Sequence, residues 1–279
     1  MKQRLLLLGA AGQVGFELDR VLHTRYDVIP AGRAEADLAD QASLRRAVAQ
    51  HRPAIIINAA AYTAVDRAEQ EPDVARSVNA AAPALLAGLA RASGALLVHY
   101  STDYVFDGKL GRPYVEEDVP APLNVYGRTK LEGDEAVIRS GARHLIIRTA
   151  WVYAARGRNF VSTVRRLLDE RDELRIVNDQ TGTPTSAPQI AEATAAALAK
   201  GAEGLFNVAA HGETTWFDFA REIAAVAGLR KRIVPISSDE FGAPARRPAW
   251  SVLSTAKYAR EIGAPPGPWR PELARIMAG

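Results

Sequence analysis

The chain of 279 residues has no cysteine, which excludes disulfides, thiolate metal sites and a cysteine nucleophile. Long hydrophobic runs are absent as well. The apolar start, Leu5 to Leu8, falls far short of a signal-peptide core or a membrane span, and no later stretch approaches one. A soluble, cytoplasmic protein with no membrane partner is expected. Charge of one sign is also lacking, since 35 basic against 32 acidic residues leave a net charge of +3. The densest basic runs, Arg230-Lys231-Arg232 and Arg246-Arg247, are too short to mark a nucleic-acid surface. No internal repeat stands out. What is plentiful is core material: 48% apolar residues suffice for one large α/β domain, or one domain carrying a smaller one.

Leu5 to Leu8 followed by Gly9 reads as a buried strand entering a glycine turn. A helix from Gly12 to about His23 follows, with Val14, Leu18, Val21 and Leu22 on one stripe. Further strands are predicted at Asp27 to Ala31, Ala54 to Asn58, Ala95 to Tyr100 and His144 to Arg148. They alternate with helices over Gln41 to Gln50, Pro72 to Ser93 and the stretch after Tyr126. Apolar strands alternating with helices predict an α/β, doubly wound parallel sheet of Rossmann type over residues 1–150. Residues 151–279 read as a smaller α/β substrate-binding portion, with helices near Phe160 to Arg171, Pro188 to Lys200 and Phe217 to Gly228. The strand at Leu205 to Ala209 is a candidate to rejoin the main sheet. The long loop from Thr102 to Asn124 carries three prolines and is expected to be functional.

Gly9-Ala10-Ala11-Gly12-Gln13-Val14-Gly15 lies at the first strand-to-helix junction, the context a dinucleotide fingerprint requires. Glycines there let the backbone approach a pyrophosphate, and the helix N-terminus offers free N–H groups. The bland alternative is a tight structural turn. At the end of the second strand no acid stands before Glu35, and Arg33 is placed to pair a 2′-phosphate, which favours NADPH while leaving NADH possible. A solvated loop arginine is the competing reading. Asp37 and Leu38 are candidates to reach the adenine, and Ala59, Ala60 and Ala61 are small enough to let their backbone pass close to the cofactor.

In "NVYGRTKLEGD", Tyr126 and Lys130 are four apart on a predicted helix and share a face. A packed tyrosine beside a solvated lysine is the ordinary explanation. The glycine turn, Asn58 to Ala61, His99 to Phe106 and Tyr126-x-x-x-Lys130 nevertheless occur in one order that resembles the extended short-chain dehydrogenase/reductase superfamily. "NAAAYTAVDRAE", "VHYSTDYVFDG", "PLNVYGRTKLEG", "IIRTAWVYA", "NDQTGTPTSA" and "RRPAWSVLST" are similar to the dTDP-4-dehydrorhamnose reductase family along nearly the whole chain.

The resemblance implies reduction of the 4-keto group of dTDP-4-dehydro-L-rhamnose by a nicotinamide cofactor. Carried over residue by residue, it implies Thr102, Tyr126 and Lys130 as the catalytic set. Ala61, Tyr62 and Thr63 would lie along the cofactor, with Tyr126 and Lys130 beside them. Thr102, Asp103, Tyr126 and Trp151 would face the sugar nucleotide, and Arg247 and Ser251 its nucleotide or diphosphate. Trp151 reads equally as core or as a platform for a thymine ring. Some members bind magnesium at a dimer contact, and Glu17 matches one such position. Residues 185–192 retain only Glu192 as an acid, so Glu17 is read as a surface residue and no metal site is assigned. A monomer or a homodimer is expected.

Such a site makes chemical sense. A tyrosine titrating at roughly 10 holds its proton at neutral pH and can act as the acid, and a nearby ammonium is expected to lower that pKa toward working pH. His99 reads as a core or supporting residue. Two alternatives stay open: a sugar-nucleotide epimerase or dehydratase of the same architecture, and a non-catalytic subunit resembling the regulatory subunit of methionine adenosyltransferase.

Overall fold

The four leucines of β1 (Arg4–Leu8) are wholly buried, as an apolar run covered on both faces demands. The computed structural model describes residues 2–278. Its main sheet adds β2 (Asp27–Ala31), β3 (Ile55–Asn58), β4 (Leu96–Thr102), β5 (His144–Thr149) and β6 (Gly204–Asn207). The six strands lie in the order β6-β5-β4-β3-β1-β2, and every neighbouring pair is parallel. Consecutive residues alternate between two cores. Leu5, Leu7, Ile55, Ile57 and Val98 face one, with Leu18 and Leu22 of the first helix and Ala197 and Leu198 of a later one. Leu6, Leu8, Ile56 and Leu97 face the other, with Leu44, Leu86 and Val137 from three further helices. That is a period-2 pattern with helices on both sides of the sheet.

Strand order reverses at β1, which has β2 on one side and β3 on the other. The crevice at the carboxyl ends of β1 and β3 is therefore the place where this architecture binds ligands. β6 pairs with β5, so the later strand does rejoin the sheet.

The stretch Pro72 to Ser93 is not the single helix its composition predicts. It is α-helical over Pro72–Arg76, widens into a π turn over Ser77–Ala81, and resumes over Ala82–Ser93. The buried Asn79 explains the bulge. Its Oδ1 accepts from the Tyr62 amide at 2.9 Å, and its Nδ2 donates to the Tyr62 carbonyl at 3.0 Å and to Thr129 Oγ1 at 3.2 Å. One side chain thus ties the loop after β3 to the helix that carries Tyr126, and π bulges of this kind are frequent at functional sites.

A separate apolar cluster, including Tyr153, Leu168, Phe219, Ile223, Trp269 and Leu273, organises much of the chain after Trp151. There Glu173–Val177 pairs in parallel with Arg232–Ile236. No helix among the described residues is long and apolar enough to cross a membrane.

Candidate active site

The glycine turn is shaped by contacts that tolerate no side chain. Gly9 adopts φ +77°, and a Cβ on it would stand 2.8 Å from the Ala60 amide nitrogen. A Cβ on Gly15 would lie 2.1 Å from the Gly9 carbonyl oxygen. The two lips of the crevice, the turn after β1 and Ala59-Ala60 after β3, therefore touch backbone to backbone. Gly12 begins the helix Gln13–Leu22 without a side-chain cap, leaving Gln13 and Val14 at a terminus that suits an anion. Gln13 is also held from the second half of the chain: its Oε1 accepts from Asn159 Nδ2 at 2.9 Å.

Beyond β2, Arg33 is highly exposed and its Nε donates to Asp37 Oδ2 at 3.2 Å. Asp37 also accepts from the Ala39 amide, which, outweighing a small burial effect and aided by Arg33, holds its carboxyl below the ordinary range. Leu38 is buried with Leu6, Leu8 and Leu44, so its side chain serves the core. Ala61 and Thr63 are exposed on the loop after β3, while the Tyr62 hydroxyl donates to Glu71 at 2.7 Å.

Tyr126 is brought to Thr102 by one close approach. Asn124 caps the helix Val125–Arg139, its Oδ1 accepting from the Gly127 amide at 2.8 Å. A Cβ on Gly127 would sit 2.2 Å from the Tyr104 carbonyl oxygen, so the first helical turn presses directly on the turn after β4. The Tyr126 and Tyr104 rings meet edge-on at 6.0 Å, and the Thr102 hydroxyl lies against the Tyr126 phenol. Burial pushes that phenol up to about 12, with Thr102 pulling it down and Asp103 and Asp134 pushing it further up. The expected lowering by Lys130 is absent. Desolvation dominates, and the ammonium is directed elsewhere.

Lys130 is buried, and its Nζ donates to the Tyr100 carbonyl at 2.5 Å and lies 3.3 Å from His99 Nε2. Burial lowers its pKa to about 8 against the pull of Asp134. His99 Nδ1 in turn faces Asn58 Nδ2 at 3.2 Å, and burial followed by the Lys130 charge keeps this imidazole neutral. Asp134 accepts from Ser101 Oγ at 2.6 Å and lies 3.6 Å from Arg148 Nε. Sequence reasoning missed Asp134 and Arg148. Asp134 had a signal, since it follows Lys130 by four residues and must share its face.

The remaining substrate candidates converge on the turn after β4. Thr102 Oγ1 accepts from the Tyr104 amide at 3.1 Å and donates to Asp103 Oδ1 at 3.1 Å. Ser251 Oγ donates to Asp103 Oδ2 at 2.5 Å. Burial pushes the Asp103 carboxyl up to about 7, against those hydroxyls and the nearby amides. Arg247 reaches the Tyr104 side of the site but spends its fork on Asp66, at 2.9 and 2.8 Å. Trp151, two residues beyond β5 and at φ +45°, stacks on Trp216 with centroids 3.4 Å apart. Its indole is therefore partly committed to packing. Glu17 is paired with Arg20 at 2.8 Å, and Glu272 with Arg275 at 2.6 Å. Among the described residues no group of three or more His, Cys, Asp or Glu side chains is arranged to hold a metal ion.

Comparison with known proteins gives a consistent picture. The family model for the RmlD substrate binding domain matches residues 3–279. A dTDP-4-dehydrorhamnose reductase of Burkholderia thailandensis is 44% identical, covering 96% of this chain and 95% of that one. One of Escherichia coli is 41% identical over 98% of this chain and 96% of its own. The crystal structure of dTDP-4-dehydrorhamnose reductase from Bacillus anthracis in complex with NADP superposes with a TM-score of 0.96 at 35% identity, covering 100% of this chain and 99% of that one.

Proposed function

This chain belongs to the RmlD substrate binding domain family, and we propose that it reduces the 4-keto group of dTDP-4-dehydro-L-rhamnose to dTDP-L-rhamnose, with NADPH as the preferred reductant. One observation carries the reading: Gly127 against the Tyr104 carbonyl sets a protonated phenol beside the Thr102 hydroxyl, at the carboxyl end of a parallel sheet whose switch point holds a glycine turn.

The crevice fits a dinucleotide. Gly9 and Gly15 let the turn after β1 pack directly against Ala60 and the helix start, where any side chain would meet backbone, and the uncapped helix start at Gln13 and Val14 would receive the pyrophosphate. When bound, the reduced nicotinamide supplies the hydride. Tyr126 delivers a proton to the ketone oxygen, for which it is well prepared because burial keeps it protonated across the neutral range. Thr102 offers a hydroxyl to the same oxygen as charge develops there. Lys130, kept charged with the help of Asp134, stands one helical turn from Tyr126 with its ammonium on the Tyr100 carbonyl, so it contributes a cation to the site while burial and Thr102 govern the phenol.

The test is an assay that supplies dTDP-4-dehydro-L-rhamnose and follows loss of reduced cofactor, with the UDP and GDP analogues alongside. Turnover of the dTDP sugar, lost by ~10²–10⁴-fold in Tyr126→Phe with cofactor binding intact, is the expected result. Stoichiometric NAD retained through purification with no net reduction would instead indicate an epimerase. Absence of any cofactor oxidation would indicate a non-catalytic subunit.

A further inference from the structure

Thr102 has one hydroxyl proton, and an ionised Asp103, whose Oδ1 lies 3.1 Å from Thr102 Oγ1, competes for it with the Tyr126 phenol and the substrate. The acceptor side of the same oxygen is met by the Tyr104 amide. A threonine donating to Asp103 presents no proton to a substrate oxygen, although stabilising a developing alkoxide requires one. We propose that Asp103 is a positioning residue whose protonation turns the Thr102 hydroxyl toward the substrate, with Ser251 holding the carboxyl in place. The inference rests on the reductase reading of this site.

The proton count works in one direction only. An ionised carboxylate accepts and cannot donate, so it draws the Thr102 proton to itself. A protonated Asp103 donates from Oδ1 to Thr102 Oγ1, which then accepts from two donors, Asp103 and the Tyr104 amide. The Thr102 proton is left free for the ketone oxygen. Ser251 donates to Oδ2 in either state, so it fixes which carboxyl oxygen addresses Thr102. Charge points the same way. A carboxylate one hydroxyl away from the reacting oxygen opposes the negative charge that forms there, and a neutral carboxyl does not.

The surroundings place the switch within reach of neutral pH. Asp103 is 2% exposed, and the titratable groups around it are the Tyr104 and Tyr126 phenols, both protonated, and Arg247, which contacts Tyr104 while paired with Asp66. Among the described residues no cation bonds the Asp103 carboxyl; its partners are two hydroxyls and backbone amides. Burial therefore prevails and brings the group to about 7.

The experiment is the pH dependence of kcat/KM for the full chain with the keto sugar nucleotide and reduced cofactor, since that parameter reports groups of the free enzyme. The wild type is expected to fall by about tenfold per pH unit above the Asp103 pKa. Asp103→Asn, whose amide can donate permanently to Thr102, is expected to lose less than about tenfold at pH 6 and to remove the fall between about pH 7 and 8, leaving only the one that follows loss of the Lys130 charge above about 8. Ser251→Ala removes a donor to the carboxylate and so should move the fall to higher pH. An unchanged falling limb in both variants would overturn the proposal. So would a pH-independent loss of more than about a hundredfold in Asp103→Asn with cofactor binding intact, because that indicates a direct role for the charge. Tyr126→Phe separates the two readings: if it stays active, the assignment of the site fails, whereas an inactive Tyr126→Phe alongside an unshifted limb sinks only the role of Asp103.

Discussion

Arg247 grips Asp66 with both ends of its guanidinium, at 2.9 and 2.8 Å, across 181 residues of sequence. Asp66 also accepts from the Ala245 amide, and Asn124 donates to the Arg246 carbonyl at 2.7 Å. The late segment that delivers Ser251 to Asp103 is thus fastened to the short helix Val65–Ala68 after β3 and to the cap of the Tyr126 helix.

Burial raises the Asp66 carboxyl, but the Arg247 bonds and charge and the Ala245 amide outweigh it, and its pKa ends below the ordinary value. A lowered carboxyl pKa contributes stability above the unfolded value of about 3.9, and that contribution is lost as pH falls through the folded value. Asp66→Asn is expected to reduce stability by about 1 kcal/mol at pH 7, or about 2–4 °C in Tm, after allowing for the solvent exposure of the carboxylate. The deficit should shrink as the pH falls below 4. Thermal melts of the two proteins at pH 7 and pH 3.5 check this, and an equal deficit at both would dismiss the ion pair as its source.

At Thr102 the hydroxyl and the methyl can be told apart. Thr102→Ser keeps the donor and is expected to change kcat by less than about tenfold, whereas Thr102→Val removes it and should cost about a hundredfold or more. Steady-state kinetics on both variants suffice. Equal, severe losses would assign the role to methyl packing.

Asp134 offers a sharper test of buried charge. It lies at 1% exposure with Arg148 Nε at 3.6 Å and Lys130 as a further opposite charge. Asp134→Asn leaves both cations without their carboxylate, and breaking a buried pair in this way costs about 3–5 kcal/mol. Lys130 titrates at about 8, below its unfolded value, because burial disfavours its charge. Above that pH the folded protein holds one buried cation fewer, so the deficit should decrease from pH 7 to pH 9. Urea unfolding at the two pH values measures it. A near-neutral substitution at pH 7 would mean that the carboxyl is already protonated in the wild type.

The sheet was legible because β1, β3 and the starts of β4 and β5 carry short buried apolar runs, and the glycine turn because its spacing falls at a strand-to-helix junction. Helical spacing alone made legible only that Tyr126 and Lys130 share one helix, Val125–Arg139; their proposed role came from the motifs around them. The π turn at Asn79 was not, because nothing within Pro72 to Ser93 demands it; its cause is Tyr62 and Thr129, 17 and 50 residues away. The Asn159 bond to Gln13 and the Arg247 grip on Asp66 are likewise pairings across the chain that no local pattern encodes. Lys130 shows a different limit. Its spacing from Tyr126 was read correctly, but the direction of its ammonium depends on the Tyr100 carbonyl and on desolvation, which spacing does not carry.

The proposed preference for NADPH rests on Arg33 and its restraint. Its guanidinium is largely exposed and, among the described residues, paired only with Asp37, four residues on. Exposed pairs at this spacing contribute about 0.3–0.5 kcal/mol, so a phosphate can recruit the arginine at little cost. A partly exposed charge-assisted contact is worth on the order of 1–2 kcal/mol, or about 5- to 30-fold in affinity. Arg33→Ala is accordingly expected to raise KM for NADPH by that factor and to leave KM for NADH nearly unchanged. Asp37→Asn should act in the opposite sense. It releases Arg33 and removes an anion that its Ala39 hydrogen bond keeps ionised, so the NADPH preference should increase. Both constants measured on both variants decide the matter. If NADPH and NADH weaken in parallel in Arg33→Ala, the arginine stacks on the adenine instead, and the basis for preferring NADPH at this position is gone.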